Sequence, residues 1–183
     1  MVKINMGCGS RNFGKEWIHI DGGNYEHLDY KDITKLEFGD NTVDLIYASH
    51  VIQYFDRADI IPILKEWIRV LKPKGILRVA VPDFEVVARL YLLGNEHGNY
   101  NLDYFLEPLY GKMEMGDKLI YHKTIYDYKS LRTLLSNIGL SSIHIWDWRQ
   151  TEHTKFEDYG QIHLPYTNKN SGTLISLNME GEK

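Results

Sequence analysis

Two glycines and one aspartate near the N-terminus have the types and spacing to hold a nucleoside. In KINMGCGSRNFGKEWIHIDGG, Lys3 to Gly23, Gly7 and Gly9 follow a short apolar stretch and Asp21 closes a second one. Glycine at the end of a strand accepts positive φ and lets a ligand approach the backbone where a Cβ would collide. A carboxylate at the end of the next strand can accept hydrogen bonds from the 2′ and 3′ hydroxyls of one ribose together. The dimensions are short, however. Twelve positions separate Gly9 from Asp21, against about 20 in the dinucleotide fingerprint. Asn12 stands where that fingerprint has its third glycine.

Only residues 7–16 lie between the two strands, close to the minimum of about 10–12 for a whole crossover. A helix there has one turn at most. NAD and FAD rest a pyrophosphate on the N-terminus of a full helix, where free N–H groups and the helix dipole stabilise its charge. A stunted helix therefore disfavours a dinucleotide. S-adenosylmethionine has no phosphate and needs the glycine turn and the ribose acid but not the helix. The same residues also read as a plain tight turn between parallel strands, with no ligand at all.

The elements that carry these residues follow from periodicity. KINM (3–6) and WIHID (17–21) are short strands, and VDLIYA (43–48) is a buried one. Ile60, Ile61, Leu64, Trp67, Ile68 and Leu71 make a helical stripe over 59–71, with Pro62 in the first turn and Lys72-Pro73 as the stop. Gly75 opens a turn into the strand ILRVAV (76–81), and 84–93 is a helix closed by Gly94. Residues 95–126 carry no clear period, which predicts a long irregular insertion or lid. A helix from Tyr128 to Gly139 and strands at 141–147 and 173–178 complete the chain. This order predicts an α/β fold: a Rossmann-like, mostly parallel sheet with helices on both faces and an antiparallel C-terminal strand, in one domain over 1–183.

Composition narrows the function classes. A chain of 183 residues, 43% hydrophobic and 25% charged, fits one globular domain. Net charge is −4 with no long basic run, so nothing points to nucleic acid or an anionic membrane as partner. Cys8 is the single cysteine, which excludes an internal disulfide and fits a reducing compartment. MVKINMGCGS lacks the apolar core of a signal peptide, and no segment approaches the roughly 18 apolar residues of a membrane span. The expectation is a cytoplasmic protein.

Taken together, INMGCG, HID, KDITKLEFGDNTVDLIYASHVIQYF and EWIRVLKPKGILRVAVPD line up in order with a known pattern. Over residues 3–83 the chain resembles the class I S-adenosylmethionine-dependent methyltransferases, most closely the small "type 11" kind and a short bacterial subgroup of it often associated with glycan or sugar biosynthesis. YHKTIYDYKSLRTLLSNIGL (121–140) and the terminal LISLNMEG look like later elements of that family. The resemblance implies S-adenosyl-L-methionine as cofactor and an enzyme that methylates a small molecule or sugar, with Asn5, Met6, Gly7, Cys8 and Gly9 beneath the methionine portion. It implies Asp21 and Gly22 at the ribose, Asp32 and Ile33 beside the adenine, and Ser49 and His50 under the sulfonium. Asn5 and Arg11 depart from the family's D-x-G-x-G-x-G pattern, which leaves the methionine amine to backbone carbonyls and Arg11 to the carboxylate. Outside a ligand role, Asp32 is a turn residue, Ile33 core, His50 a helix cap and Cys8 a small filler.

Methyl transfer to a hydroxyl calls for an aligned acceptor, excluded water and a base. His50 and His122 are the candidate bases, because imidazole changes charge near neutral pH. Asp83 either supports them or caps the helix that follows it. Tyr110, Tyr121 and Tyr126 offer rings on which a sugar or aromatic acceptor can stack. His153, His163 and Asp158 fit no compact metal motif, so no metal is expected. Two other readings remain: a non-catalytic S-adenosylmethionine-binding module, and a dinucleotide-dependent oxidoreductase or epimerase. Nucleic-acid methylation is disfavoured by the charge and by ASHVIQYF standing where an Asn-Pro-Pro-Tyr type motif would be.

Overall fold

A computed structural model describes residues 1–96, 101–164 and 169–183. Four parallel strands form its centre: β1 (Lys3–Met6), β2 (Ile18–Ile20), β3 (Val43–Ser49) and β4 (Leu71–Pro82). The helix α1 (Ile60–Val70) precedes β4, and α2 (Phe84–Glu96) and α3 (Asp103–Tyr110) follow it. A hairpin of β5 (Met113–Met115) and β6 (Lys118–Ile120) leads to α4 (Tyr128–Asn137) and β7 (Ser141–Ile145). The chain closes with a two-strand ribbon, β8 (His163–Leu164) and β9 (Thr173–Leu174), and the long β10 (Ser176–Glu182).

The sheet order is β2-β1-β3-β4-β10-β7, with β10 antiparallel to both of its neighbours. From β1 the chain moves outward to β2, and from β3 it moves outward the other way to β4. The order therefore reverses between β1 and β3, and a crevice opens at the carboxyl ends of these strands. Between β1 and β2 there is no helix at all, which carries the expected shortness of that crossover to its limit.

Of the stripe predicted over 59–71, Ile60, Leu64 and Trp67 are buried in α1, Ile61 is exposed and Ile68 half-buried, and Ile63 and Val70 join the buried face against Ile4, Met6, Ile46 and Ala48 of the sheet. Leu131, Leu135 and Ile138 of the α4 region join the same cluster. An Asp127–Ser130 capping box starts α4, satisfying two of the N–H groups a helix leaves orphaned there. Side chains of α1 also hold the irregular segment 33–40. Trp67 Nε1 donates to the Ile33 carbonyl at 2.7 Å, Glu66 accepts from Leu36 N at 2.9 Å, and Arg69 donates to the Phe38 carbonyl at 3.0 Å and to Asp40. These bonds fix Ile33 at the crevice without any secondary structure of its own.

Several local expectations change. The strand read over 173–178 divides into β9, which pairs with β8, and β10 of the main sheet. The strand read as 76–81 begins at Leu71, and the irregular pairing between Val43 and Leu45 absorbs the Lys72–Gly75 kink. The helix read as ending at Gly94 runs to Glu96, since one helical glycine costs only about 1 kcal/mol against alanine. The 95–126 segment is not irregular throughout, because it contains α3 and the β5–β6 hairpin; its residues 97–100 lie outside the described residues, as do 165–168 of the second polar stretch. Three-residue strands are too short to show a period in sequence.

The second face of the sheet departs from the expectation of helices. Its cluster, built from Phe13, Trp17, Leu45, Tyr47, Ala80 and Trp146 with Trp148 and Phe156 packed on it, draws on none of α1, α2, α3 or α4. Loop segments and 3-10 turns cover this face, and their aromatic rings supply the bulk that a helix would otherwise bring. His153 lies at its centre, 1% exposed, 4.0 Å from the Tyr47 ring and within 6 Å of the rings of Phe13, Trp17 and Trp146. Neither of its ring nitrogens has a hydrogen-bond partner among the described residues. Burial, helped by the Arg78 charge, pushes its pKa down to about 4.

Replacing His153 by phenylalanine is expected to stabilise the fold. A buried unpartnered polar group costs about 1–3 kcal/mol, and an aromatic ring fits the surrounding rings. The gain grows in acid, because an unfolded chain binds a proton at His153 below about pH 6.5 while the folded one resists until about pH 4. Stability tied to a neutral buried imidazole is thus lost as pH falls through that window, and the margin of His153→Phe over wild type widens by about 2 kcal/mol between pH 7 and 5. Urea titrations at the two pH values measure it; equal margins would show that His153 is solvated or paired.

Candidate active site

A cavity of about 440 Å3 occupies the crevice at the carboxyl ends of β1, β2 and β3, within the roughly 300–1,000 Å3 common for small-molecule sites. Each strand end contributes: Gly7 and Gly9 after β1, Asp21 and Gly22 after β2, and Ser49, His50 and Val51 from β3 onward. Ile33 and Arg11 complete the near wall, while Met113, Met115 and Leu119 of the hairpin form the far one. The hairpin comes close enough that a Cβ added at Gly22 would stand 3.1 Å from Met115 Sδ.

The glycine turn is built for close approach. Gly7 has φ +65° and Gly9 φ +56°, a region that L side chains avoid. A Cβ added at Gly9 would meet nothing within 4 Å, so the space above its backbone is open to the cavity. Asp21 ties the turn to β2: Oδ2 accepts from Gly9 N at 2.8 Å and Oδ1 from Gly23 N at 2.7 Å. Each carboxylate oxygen keeps a further lone-pair site for a hydroxyl. Arg11 spends Nε on the Glu157 carbonyl at 3.1 Å and lies 4.4 Å over the Tyr159 ring, holding that loop at the cavity.

A smaller cavity of about 70 Å3 adjoins the first. His50, Tyr54, Met113 and Tyr159 line both, whereas Glu107, Lys112 and His122 line the smaller one alone. His50 has φ +55° and donates its backbone N–H to the Ala80 carbonyl at 2.8 Å. A non-glycine residue held in the left-handed region costs on the order of 1–3 kcal/mol and persists where the surroundings over-determine it.

Comparison with known proteins agrees with this geometry. Residues 15–79 match the family profile described as "Methyltransferase domain". Among solved structures, an S-adenosylmethionine-dependent methyltransferase from Methanosarcina mazei is similar at TM-score 0.57 and 17% identity, over 99% of this chain and 91% of that one. One from Archaeoglobus fulgidus gives 0.60 and 15%, over 99% and 85%. The 1,6-didemethyltoxoflavin-N1-methyltransferase of Burkholderia thailandensis, solved with bound 1,6-didemethyltoxoflavin and S-adenosylhomocysteine, gives 0.55 and 11%, over 100% and 70%. No curated protein matches the chain.

Residues 15–79 thus match a methyltransferase-domain profile, and the chain has the fold of S-adenosylmethionine-dependent methyltransferases.

The residues of this site fit S-adenosylmethionine on two observations: the open cradle above Gly9, and a carboxylate at the end of β2 already oriented by two backbone N–H groups. Of the positions named from sequence, Gly7, Gly9, Asp21, Gly22, Ile33, Ser49 and His50 line the main cavity. Asn5, Met6 and Cys8 lie beneath the turn, buried and outside the lining. Burial, with the nearby Asp21 charge, raises the Cys8 thiol to about 12, so it packs as a small neutral group. Asp32 is exposed beside Ile33, and its Oδ1 accepts from Thr34 N, Thr34 Oγ1 and Lys35 N. These bonds, the Thr34 hydroxyl first, hold its pKa below the ordinary carboxylate value and shape the turn that presents Ile33.

The acceptor candidates separate. Asp83 lines neither cavity and caps α2, accepting at Oδ1 from Glu85 N at 3.1 Å and Val86 N at 3.3 Å. Its capping alternative is the one the geometry favours. His122 lines the smaller cavity, but its Nε2 is engaged with the Gln53 amide at 3.3 Å and its Nδ1 is buried without a well-formed hydrogen bond. His50 alone of the three stands on the wall shared by both cavities. Tyr121 lines the main cavity; Tyr110 and Tyr126 line neither. His153, His163 and Asp158 serve separate contacts: the aromatic cage, the Gln161 carbonyl, and Tyr47 with Gly160 N. Sequence reasoning missed the hairpin methionines and the Tyr54 and Tyr159 rings, none of which carries a local signal.

Proposed function

We propose that this chain transfers a methyl group from S-adenosylmethionine to a hydroxyl oxygen of a small acceptor whose hydroxyl reaches into the smaller cavity, with His50 as the base. The observation that carries the reading is the position of His50 on the wall common to the two cavities. The cofactor supplies a sulfonium-bound methyl, an electrophile that needs alignment more than activation. Gly7, Gly9, Asp21 and Ile33 hold and orient it; Tyr54, Tyr159 and the hairpin exclude water from the transfer path. With the cofactor bound, the acceptor oxygen would take its methyl group, leaving S-adenosylhomocysteine, and His50 would take the hydroxyl proton. Glu107 and Lys112 supply a carboxylate and an ammonium for an acceptor's other polar groups, which supports a hydroxylated or sugar-like compound. The test is methyl transfer from radiolabelled S-adenosylmethionine to a panel of sugars, nucleotide sugars, phenols and amines. Labelled ether products from hydroxylated acceptors, lost in His50→Gln, bear the reading out; label entering only amines, or binding with no transfer, overturns it.

The pH profile provides a separate check. Burial first, then the neighbouring His122 and Arg11, pushes the His50 pKa down to about 3. The ring is therefore neutral across the physiological range, and it takes the proton as the new C–O bond forms and the hydroxyl becomes acidic. The acid limb of kcat/KM is expected well under pH 6, with a flat rate from about pH 6 to 8. A limb centred near 6.5 would mean an exposed imidazole is the base.

A further inference from the structure

The geometry points to Ser176 and Asn178 of β10 as positioning residues that fix the tautomer of His50, placing its proton on Nε2 and leaving Nδ1 as the basic nitrogen.

The assignment follows from counting donors along one buried chain. Asn178 Nδ2 donates to the Gly160 carbonyl at 2.8 Å. A carbonyl can only accept, so the Asn178 amide has its nitrogen on that side and presents Oδ1 to Ser176. The Ser176 hydroxyl lies 2.9 Å from that Oδ1 and 3.5 Å from the Val81 carbonyl. Both are acceptors, so its single proton points away from His50 in either case. The remaining contact, His50 Nε2 to Ser176 Oγ at 3.1 Å, then has one consistent direction: Nε2–H donates and Oγ accepts. No hydrogen bond reaches His50 Nδ1 among the described residues, and the ring borders both cavities.

The far end of the chain is anchored too. Gly160 N donates to Ser49 Oγ at 3.1 Å and to Asp158 Oδ1 at 2.7 Å, and Asp158 Oδ2 accepts from the Tyr47 hydroxyl at 2.7 Å. Ser176 and Asn178 are 5% and 2% exposed, so water cannot substitute for the missing partners. Tyr159, next to Gly160, packs 5.3 Å from the His50 ring and limits its rotation. A second partner that sets which ring nitrogen is free is the usual means of orienting a working histidine.

The catalytic part of this inference rests on His50 being the base, and the two are tested apart. Long-range proton–nitrogen NMR of the S-adenosylhomocysteine complex, with His50 assigned by its loss in His50→Gln, is expected to show Nε2 protonated and Nδ1 bare. In Ser176→Ala the ring is expected to become a mixture of tautomers, with S-adenosylhomocysteine affinity within about twofold of wild type, and Ser176→Thr should restore the wild-type pattern. A wild-type ring protonated on Nδ1, or a pattern indifferent to Ser176→Ala, overturns the assignment; the wild-type measurement decides even where the variant folds poorly. In methyl transfer, Ser176→Ala is expected to lower kcat about tenfold with little change in KM for S-adenosylmethionine. Full activity of His50→Gln beside the assigned tautomer would instead overturn the base reading and the catalytic role of the relay with it.

Discussion

Replacing Asp21 by alanine is expected to weaken S-adenosylhomocysteine binding about 100-fold, measured by titration calorimetry. The carboxylate performs two tasks at once. It holds Gly9 N and Gly23 N, which sets the glycine turn, and it lines the cavity with acceptor sites to spare. A hydrogen bond to a charged group is worth about 1.5–3 kcal/mol, so losing two to the ribose at the low end removes about 3 kcal/mol, or two decades of affinity. Asp21→Asn should fall between, near tenfold, because an amide nitrogen cannot accept from one of the two glycine N–H groups. Wild-type affinity in Asp21→Ala would sink the ribose assignment. Binding of NAD by the wild-type protein would sink the cofactor site as a whole.

The second large effect concerns Gly7, where alanine is expected to damage the fold and not only the site. A Cβ there would stand 2.3 Å from Val51 Cγ2 and 2.9 Å from Cγ1, on a backbone with φ +65°. The left-handed conformation costs an alanine about 1–2 kcal/mol, and the overlap, between two segments fixed by the sheet, costs about 1–3 kcal/mol more. A total near 3 kcal/mol lowers Tm by about 6–12 °C in a chain of this size. Gly9→Ala separates the two roles. Its Cβ meets no protein atom within 4 Å, so Tm should fall by only a few degrees while S-adenosylhomocysteine binding is lost to the methyl group now standing in the cavity. In the double variant Gly7→Ala with Val51→Ala, the two Cγ overlaps are removed, so its stability loss should be smaller than the sum of the two single-variant losses. Equal Tm losses in Gly7→Ala and Gly9→Ala would contradict this division.

Much of the cofactor half of the site was legible in the amino-acid sequence, because its determinants are local. A glycine turn at a strand end, an acid at the next strand end and a ten-residue gap are features of adjacent residues, and they led to the right strands and the missing helix. The stripe of α1 was legible for the same reason, through its 3.6-residue period. The acceptor half was not. His50 meets Ser176 across 126 positions, Asp158 meets Tyr47 across 111, and His122 meets Gln53 across 69. None of these pairings leaves a periodic trace, since a hydrogen bond between distant side chains constrains only the two residue types. The second face teaches the same lesson: its rings come from segments near residues 13–17, 45–47 and 146–156, and only the sheet brings them together. Asp83 shows the limit from the other side. Its sequence neighbours fitted a cap and an acceptor role alike, and what separated them was where the cavities lie. The sequence by itself determined the α/β class, the glycine turn after β1 and the acid at the end of β2, all written within runs of about twenty residues. Tertiary structure alone decided which histidine borders both cavities and which of its nitrogens is free, because burial and donor direction arise only when distant segments pack.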